Sequence, residues 1–387
     1  MGINLNRRKF FSVVGAGSAI IAARPMSLFA NTQDKTDTKP ATNITEAQNI
    51  ARNADSMPGK YPGKVILVRN NNSVINDEPL EAAAYAMLSK AMIDLTGHNN
   101  IDEAWLTFIK PGEKIGLKVN PIGGKLLSTS HAVVKSVIRQ LEESGIALKD
   151  IMIWDRRDME LKEAGFTSEN YPGITIKGTE YQDEKGSFLN KDGKFYSEDR
   201  VDRKWYYWAD VEGEYDAETM PYMTNGGKYS YFAKIVTQDV DKIINIPVLK
   251  NAGGSITNAM KNLAFGSVSN TGRLHEKLWN DTCAEVCAFS PLRDKVVLNI
   301  SDGLRGCFNG GPGANPQFIC NYNTLLVSSD PVAMDRIAYD IIAERRMKEG
   351  LLKSPAPESL TFLSMASSLG LGISDKKLID LRIHEII

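Results

Sequence analysis

The segment Lys250-Asn-Ala-Gly-Gly-Ser-Ile-Thr-Asn-Ala-Met-Lys-Asn262 carries more polar chemistry than a plain connection needs. It follows an apolar run and leads into a helical pattern. Its glycines let backbone approach a ligand closely, and free N–H groups at a helix start attract anions. Lys250 and Lys261 add positive charge on either side, and Asn258 and Asn262, with Asn120 from an earlier strand end, would orient what is bound. The Gly-Lys-Ser/Thr ending of a Walker loop is absent. A glycine turn capped by Thr257, with solvated lysines, is the plainer alternative.

Carboxylates form the second group. Asp155, Asp302 and Asp330 each end an apolar, strand-like run, and Asp335 lies near a helix start. Acids at strand ends of a parallel sheet collect on one edge, which suits a divalent cation or general acid–base work. Asp330, directly before Pro331, reads instead as a helix cap. Asp302 precedes Gly303 and a glycine-rich stretch through Pro312, so it is read as a site residue, with Asp155 as its partner around a metal. Of the four histidines, His275 in Arg273-Leu-His-Glu276 is the candidate acid or base. His131, at a helix start, comes second, and His98 and His384 have no suggestive neighbours. Cys283 and Cys287 share a helix face; the four cysteines allow three pairings, between which the sequence does not choose, and the plain reading is buried thiols with at most one bridge, Cys307–Cys320. No Cys-x-x-Cys ladder is present, so no ferredoxin-type iron–sulfur cluster is expected in this chain. The serine elbow, the zinc-protease helix and the dinucleotide glycine motif are also missing.

The elements that must position these residues alternate. Lys64–Arg69, Lys114–Asn120 and Asp150–Asp155 read as strands, with helices over Pro79–Leu95 and His131–Ser144, the latter capped by Ser130 and stopped at Gly145. Further strands are expected near Asp241–Pro247, Val296–Ser301, Thr324–Ser329 and Leu378–Ile383. Helices are expected at Pro331–Glu344 and Glu358–Leu369. Strand, helix, strand in this cadence implies an α/β fold with a mainly parallel, doubly wound sheet. The polar stretch 181–230, with the aromatic cluster Trp205-Tyr-Tyr-Trp208, breaks the cadence. It reads as an inserted β-rich excursion, either a lid over substrate or a cover for the core.

The ordered set Gly116-Leu-Lys-Val-Asn120, Ile151-Met-Ile-Trp-Asp-Arg156, Ile244-Asn-Ile-Pro-Val-Leu-Lys250, Thr257-Asn-Ala-Met-Lys-Asn-Leu-Ala-Phe-Gly266, His275, Ser301-Asp-Gly303, Gly310-Gly-Pro312 and Asp330-Pro-Val-Ala-Met-Asp335 resembles the bacterial and archaeal family known as domain of unknown function 362. The resemblance covers the chain from about residue 61 to the end. It implies an α/β fold and a family with no established general reaction. Many members carry ferredoxin-type cysteine clusters, and this chain has none. Members often place a His shortly after the lysine matching Lys250, where this chain has Asn251 and Ala252.

The first residues supply an address. Asn6-Arg-Arg-Lys-Phe-Phe-Ser12 resembles the twin-arginine export signal, and the apolar run to Ala23 has the length of a signal core rather than a membrane span. Residues 1–30 are therefore read as a signal peptide, 31–60 as a flexible linker poor in apolar side chains, and 61–387 as the α/β domain. The chain has a net charge of −1, and its first thirty residues carry four basic side chains, Arg7, Arg8, Lys9 and Arg24, and no acid, so the body is slightly acidic and lacks the footprint of a nucleic-acid binder. The expected partners are the export machinery and a small-molecule ligand, with neither nucleic acid nor a permanent membrane span. The sum is a periplasmic protein, read as an enzyme acting on an anionic or metal-chelated small molecule. Lys250, Lys261, Asn120, Asn258 and Asn262 would bind that molecule. His275 and Asp302 would be catalytic, with a divalent metal on Asp155 and Asp302. A non-catalytic binding or accessory protein and a metal-carrying redox partner stand as alternatives. Replacing Arg7 and Arg8 by Lys should hold the chain in the cytoplasm as the precursor, seen by fractionation and immunoblotting. Normal export of that double variant would rule out the twin-arginine route.

Overall fold

A strand covered on both faces has no polar side, and apolar runs such as Val65–Val68 and Ile115–Leu117 are buried throughout. The computed structural model describes residues 39–387 apart from 182–186, 188–198, 212–226, 254 and 354–356. The expected signal peptide and much of the 181–230 excursion lie outside the described residues. Ten strands form one sheet: β1 (Lys64–Arg69), β2 (Ile115–Lys118), β3 (Ile151–Arg157), β4 (Thr175–Glu180), β5 (Lys242–Asn245), β6 (Val248–Ala252), β7 (Ser255–Thr257), β8 (Val296–Cys307), β9 (Ile319–Ser328) and β10 (Asp380–Glu385). Their order is β10-β1-β9-β8-β5-β2-β3-β4, with β6 joined to β8 and β7 to β6. Only β9 and β7 run against their neighbours. The remaining pairs are parallel, so the mainly parallel α/β sheet expected from the sequence is present.

From β2 the chain moves outward through β3 and β4, then returns to place β5 on the other side of β2. This reversal is a topological switch point at the carboxyl ends of β2 and β5, the crevice position at which ligands of open α/β sheets bind. Helices cover both faces. On one side α1 (Glu81–Thr96) and α2 (His131–Glu143) pack Met87, Leu88, Val134 and Val137 against Leu117, Ile153 and Ile244. On the other, α3 (Ala259–Ser267) and α4 (Trp279–Ala288) pack Met260, Leu263, Cys283 and Val286 with Trp154 and Ile243. α5 (Pro331–Lys348) starts at Pro331 behind Asp330, whose carboxylate accepts from the backbone N–H groups of Val332 and Ala333 and also from Gly63 and Ile373. The cap reading of Asp330 therefore holds. Among the described residues no helix is long and apolar enough to cross a membrane.

Three expectations change. Residues 40–60 are not a loose linker. Ala47 and Met57 are fully buried in the core cluster around α4, and the guanidinium of Arg293 donates to the carbonyls of Ala47, Ile50 and Ala51. A short polar-looking stretch is thus held by two apolar anchors and one arginine that satisfies its backbone. The stretch after Asp302 is not a loop: β8 continues to Cys307, paired with β9 across a bulge between Gly303 and Arg305. The segment after Lys250 is a β6–β7 hairpin that turns at Gly253, where φ is +54°, before α3 begins. The aromatic cluster lies on a ribbon, Val201–Trp208 paired antiparallel with Tyr229–Ala233. Its Tyr207 and Phe232 are fully buried, and the Tyr207 hydroxyl donates to Glu285 Oε2 at 2.9 Å, so this part of the ribbon covers core.

Met57→Ala should lower the unfolding free energy by about 2–5 kcal/mol, the usual loss for deleting a buried Met side chain. Urea denaturation checks it, and an unchanged midpoint would restore the loose-linker reading.

Candidate functional site

Strand alternation sends Leu117 toward α1 and α2 and Lys118 toward α3. Lys118 is fully buried. Its three ammonium donors meet the Asp155 carboxylate, the Val119 carbonyl at 2.9 Å and Asn262 Oδ1 at 3.1 Å. Burial lowers its pKa and Asp155 opposes that shift. α3 can lie against this pair only because residue 266 is glycine. A Cβ there would stand 2.4 Å from Lys118 Cε and 2.7 Å from Nζ.

Asn262 ties the crevice together. Its Oδ1 also accepts from Asn120 Nδ2 at 2.9 Å, and its Nδ2 donates to Asn245 Oδ1 at 2.8 Å. Asn245 Nδ2 then donates to Asn299 Oδ1 at 3.0 Å. At the other end Lys250 Nζ donates to Asn120 Oδ1 at 2.9 Å and to the Ile122 carbonyl at 3.0 Å. The chain Lys250, Asn120, Asn262, Asn245, Asn299 runs in one donor direction and links four strands, β6, β2, β5 and β8, to α3. Lys250 is fully buried, and burial, then the charge of Lys261, pushes its pKa down to about 7. Asn258 accepts from the Ser301 hydroxyl at 2.6 Å.

The start of α3 is already occupied from within the chain. Asp335 accepts from the N–H groups of Ala259 at 2.7 Å and Met260 at 2.9 Å, and burial raises its pKa to about 7. Neither a Thr257 cap nor these two amides for an anion is therefore available. Lys261 sits one residue further on, 7% exposed. Its ammonium lies 5.6 Å from the Phe265 ring centroid and has no hydrogen-bond acceptor or carboxylate partner among the described residues. Burial brings its pKa down to about 8. The His275 ring packs on the other contact of Phe265, with centroids 4.4 Å apart, and its Nδ1 lies 3.0 Å from the Thr271 carbonyl. Its outer edge meets solvent. Crowding by its packed neighbours, then Lys261, lowers its pKa.

The structure thus gathers Lys250, Asn120, Asn262 and Asp155 in one network and places Lys261 and His275 around Phe265. Asp302 stands apart from both. Its oxygens accept from the N–H groups of Ser130 at 2.7 Å and Leu304 at 3.1 Å, tying the start of α2 to β8, and burial raises its pKa. Asp155 is held by Lys118 and Asp302 by the backbone amides of Ser130 and Leu304, so the two carboxylates expected to share a metal bond to different partners. Among the described residues no group of three or more His, Cys, Asp or Glu side chains is gathered to hold a metal. His131 is structural, bonded to the Tyr171 hydroxyl at 2.6 Å and near the Ala164 carbonyl at 3.0 Å. All four cysteines are free thiols. In the β8/β9 register Cys307 faces Ile319 while Cys320 faces Gly306, so the pair considered for a bridge points to opposite faces of the sheet.

The residues that sequence reading passed over are Lys118, Asn245, Asn299, Asp335 as a cap, and Gly266. Their signal was a polar side chain inside an otherwise apolar run: Lys118 in Ile115–Val119, Asn245 in Ile243–Ile246, and Asn299 in Val296–Ile300.

Residues 209–340 match the family model described as Domain of unknown function (DUF362). The DUF362 span includes Lys250, Asn258, Lys261, Asn262, His275, Asp302 and Asp335 but not Lys118, Asn120 or Asp155, which β2 and β3 bring to the same crevice. A crystal structure of a Thermotoga maritima protein from the Northeast Structural Genomics Consortium is similar at 12% identity with a TM-score of 0.34, over 70% of this chain and 60% of that one. The chain therefore spans less than two thirds of that neighbour's length. No curated protein matches the chain.

A lysine whose folded pKa lies below its ordinary 10.5 costs stability while charged, because the unfolded chain keeps its proton more readily. Stability gains from Lys250 and Lys261 should therefore appear as pH rises from about 7 toward 10. Urea unfolding at a series of pH values should show this rise flattened in Lys250→Met and in Lys261→Met. A slope identical to the parent in both variants would contradict the buried-lysine geometry.

Proposed function

We propose that this chain is an exported α/β enzyme that takes a small anion at the carboxyl edge of its sheet. Lys261 is the recognising charge, and Lys250 gives and takes a proton near neutral pH. The observation that carries the reading is the Lys261 ammonium: it is almost buried and, among the described residues, unpaired, while every polar head of the neighbouring asparagine chain is bonded. An anion supplies the missing partner and raises the lysine's pKa, so binding takes up a proton above about pH 8. A neutral Lys250 uses its two N–H bonds on Asn120 and Ile122 and keeps a lone pair, the form in which a lysine serves as base or nucleophile. His275, at the solvent edge of Phe265, exchanges protons with bulk water. Asn120 and Asn262 hold Lys250 in register rather than contact the ligand directly. Export rests on the twin-arginine pattern at Asn6–Ser12.

Inorganic phosphate, sulfate and small carboxylates, titrated calorimetrically, test the reading. Lys261→Ala should weaken the best of them by roughly 1.5–3 kcal/mol, the worth of a charge-assisted contact. Its melting temperature should hold or rise slightly, since a cation in the first turn of α3 opposes the helix dipole. Affinity in the parent should fall as pH rises past about 8. Equal binding by parent and variant at every pH would sink the assignment. Binding without turnover of any bound anion would favour the non-catalytic alternative.

A further inference from the structure

A cavity of about 350 Å³ opens where the β8/β9 arm meets two loops, and Asp77, Leu126, Arg305, Ile319 and Asn321 are among the residues that line it. None of these residues belongs to the Lys118–Asn262 network. Arg305 follows the bulge in β8, a device that re-aims a side chain relative to the ladder, and it stands opposite Asn321 on β9. Its Nε is buried with no hydrogen-bond partner, and its guanidinium has neither an ion pair nor a hydrogen bond among the described residues. Asp302 feels its charge only as a minor influence. A guanidinium left without an acceptor inside a cavity is a carboxylate site by geometry, because its planar fork matches a carboxylate two-to-two.

Asp77 lines the same cavity from the turn between the strands Val74–Ile75 and Glu78–Pro79. It makes no ion pair with Arg305, so each charge is left to the cavity they both line. Leu126, 41% exposed despite its apolar side chain, and Ile319 line the same cavity. The lining therefore pairs a cation, an anion and an apolar wall.

We propose that this cavity binds a small zwitterion with an apolar side group, of the amino-acid class, its carboxylate on Arg305 and its ammonium toward Asp77. The volume falls at the lower end of small-molecule sites. The site is independent of the anion reading for Lys261.

Calorimetry on the full chain with leucine, 4-methylpentanoate and 3-methylbutylamine tests this, since the three share one apolar group and differ in charge. Leucine should bind more tightly than either singly charged analogue. Arg305→Met should weaken leucine about tenfold or more with an unchanged melting temperature, because the guanidinium holds nothing else in place. Asp77→Asn, at an exposed turn, should weaken leucine and leave 4-methylpentanoate unaffected. Lys261→Ala should leave leucine binding as it is, which separates this site from the crevice. Three results overturn the proposal: no heat from leucine at millimolar concentration, parental affinity in Arg305→Met, or parental leucine affinity in Asp77→Asn.

Discussion

The pairing of Lys118 with Asp155 is the constraint from which the carboxyl edge is built. Two opposite charges out of water are tolerated only when their remaining donors are satisfied, and the third acceptor for Lys118 is Asn262 Oδ1. That requirement fixes where α3 must lie, and Gly266 is what lets it lie there. α3 in turn needs its first amides satisfied, which Asp335 does from α5. Asp330, one turn earlier on that side, binds α5 to the segments at Gly63 and Ile373. A single buried ion pair thus sets the spacing of sheet, α3 and α5.

The asparagines extend the same logic sideways. Asn120, Asn262 and Asn245 each accept from the preceding member and donate to the next, and Asn299 ends the series at the Ser328 and Ser329 carbonyls, so none of the first three can flip without orphaning two neighbours. A fully satisfied buried network of this kind specifies one arrangement. Lys250 joins it at the donor end as a group whose charge is marginal near neutral pH. Lys261 and Asn262 are adjacent in sequence yet opposite in role: one amide closes the network, and the neighbouring ammonium is left outside it. This contrast, more than the polar density of the segment, distinguishes framework from candidate recognition group.

Much of the architecture was legible in the residues. The apolar runs of β1, β2 and β3 are short and uninterrupted because both sheet faces are covered, and Ser130 and Asp330 announced α2 and α5 by their capping chemistry. The glycine-rich run after Asp302 misled, because β9 lies alongside and supplies ladder bonds to a stretch that has loop composition. Residues 40–60 misled for the converse reason. Their few apolar side chains include Ala47 and Met57, and two well-placed anchors with Arg293 on the backbone carbonyls hold a segment of otherwise polar composition.

The candidate site divides in the same way. The sequence by itself determined which polar residues lie at strand ends, that Lys250, Lys261, Asn120, Asn258 and Asn262 belong near one edge, and that a parallel sheet would gather them there. It did so because strand period, caps and crossovers are local properties of the chain. Only the tertiary structure decided that Asp155 pairs with Lys118, that Asp335 fills the start of α3, and that Asp302 serves the start of α2. Those assignments depend on which distant oxygen and nitrogen atoms burial forces into contact. A buried donor takes whichever acceptor the packing brings within about 3 Å, and no spacing along the chain encodes that choice.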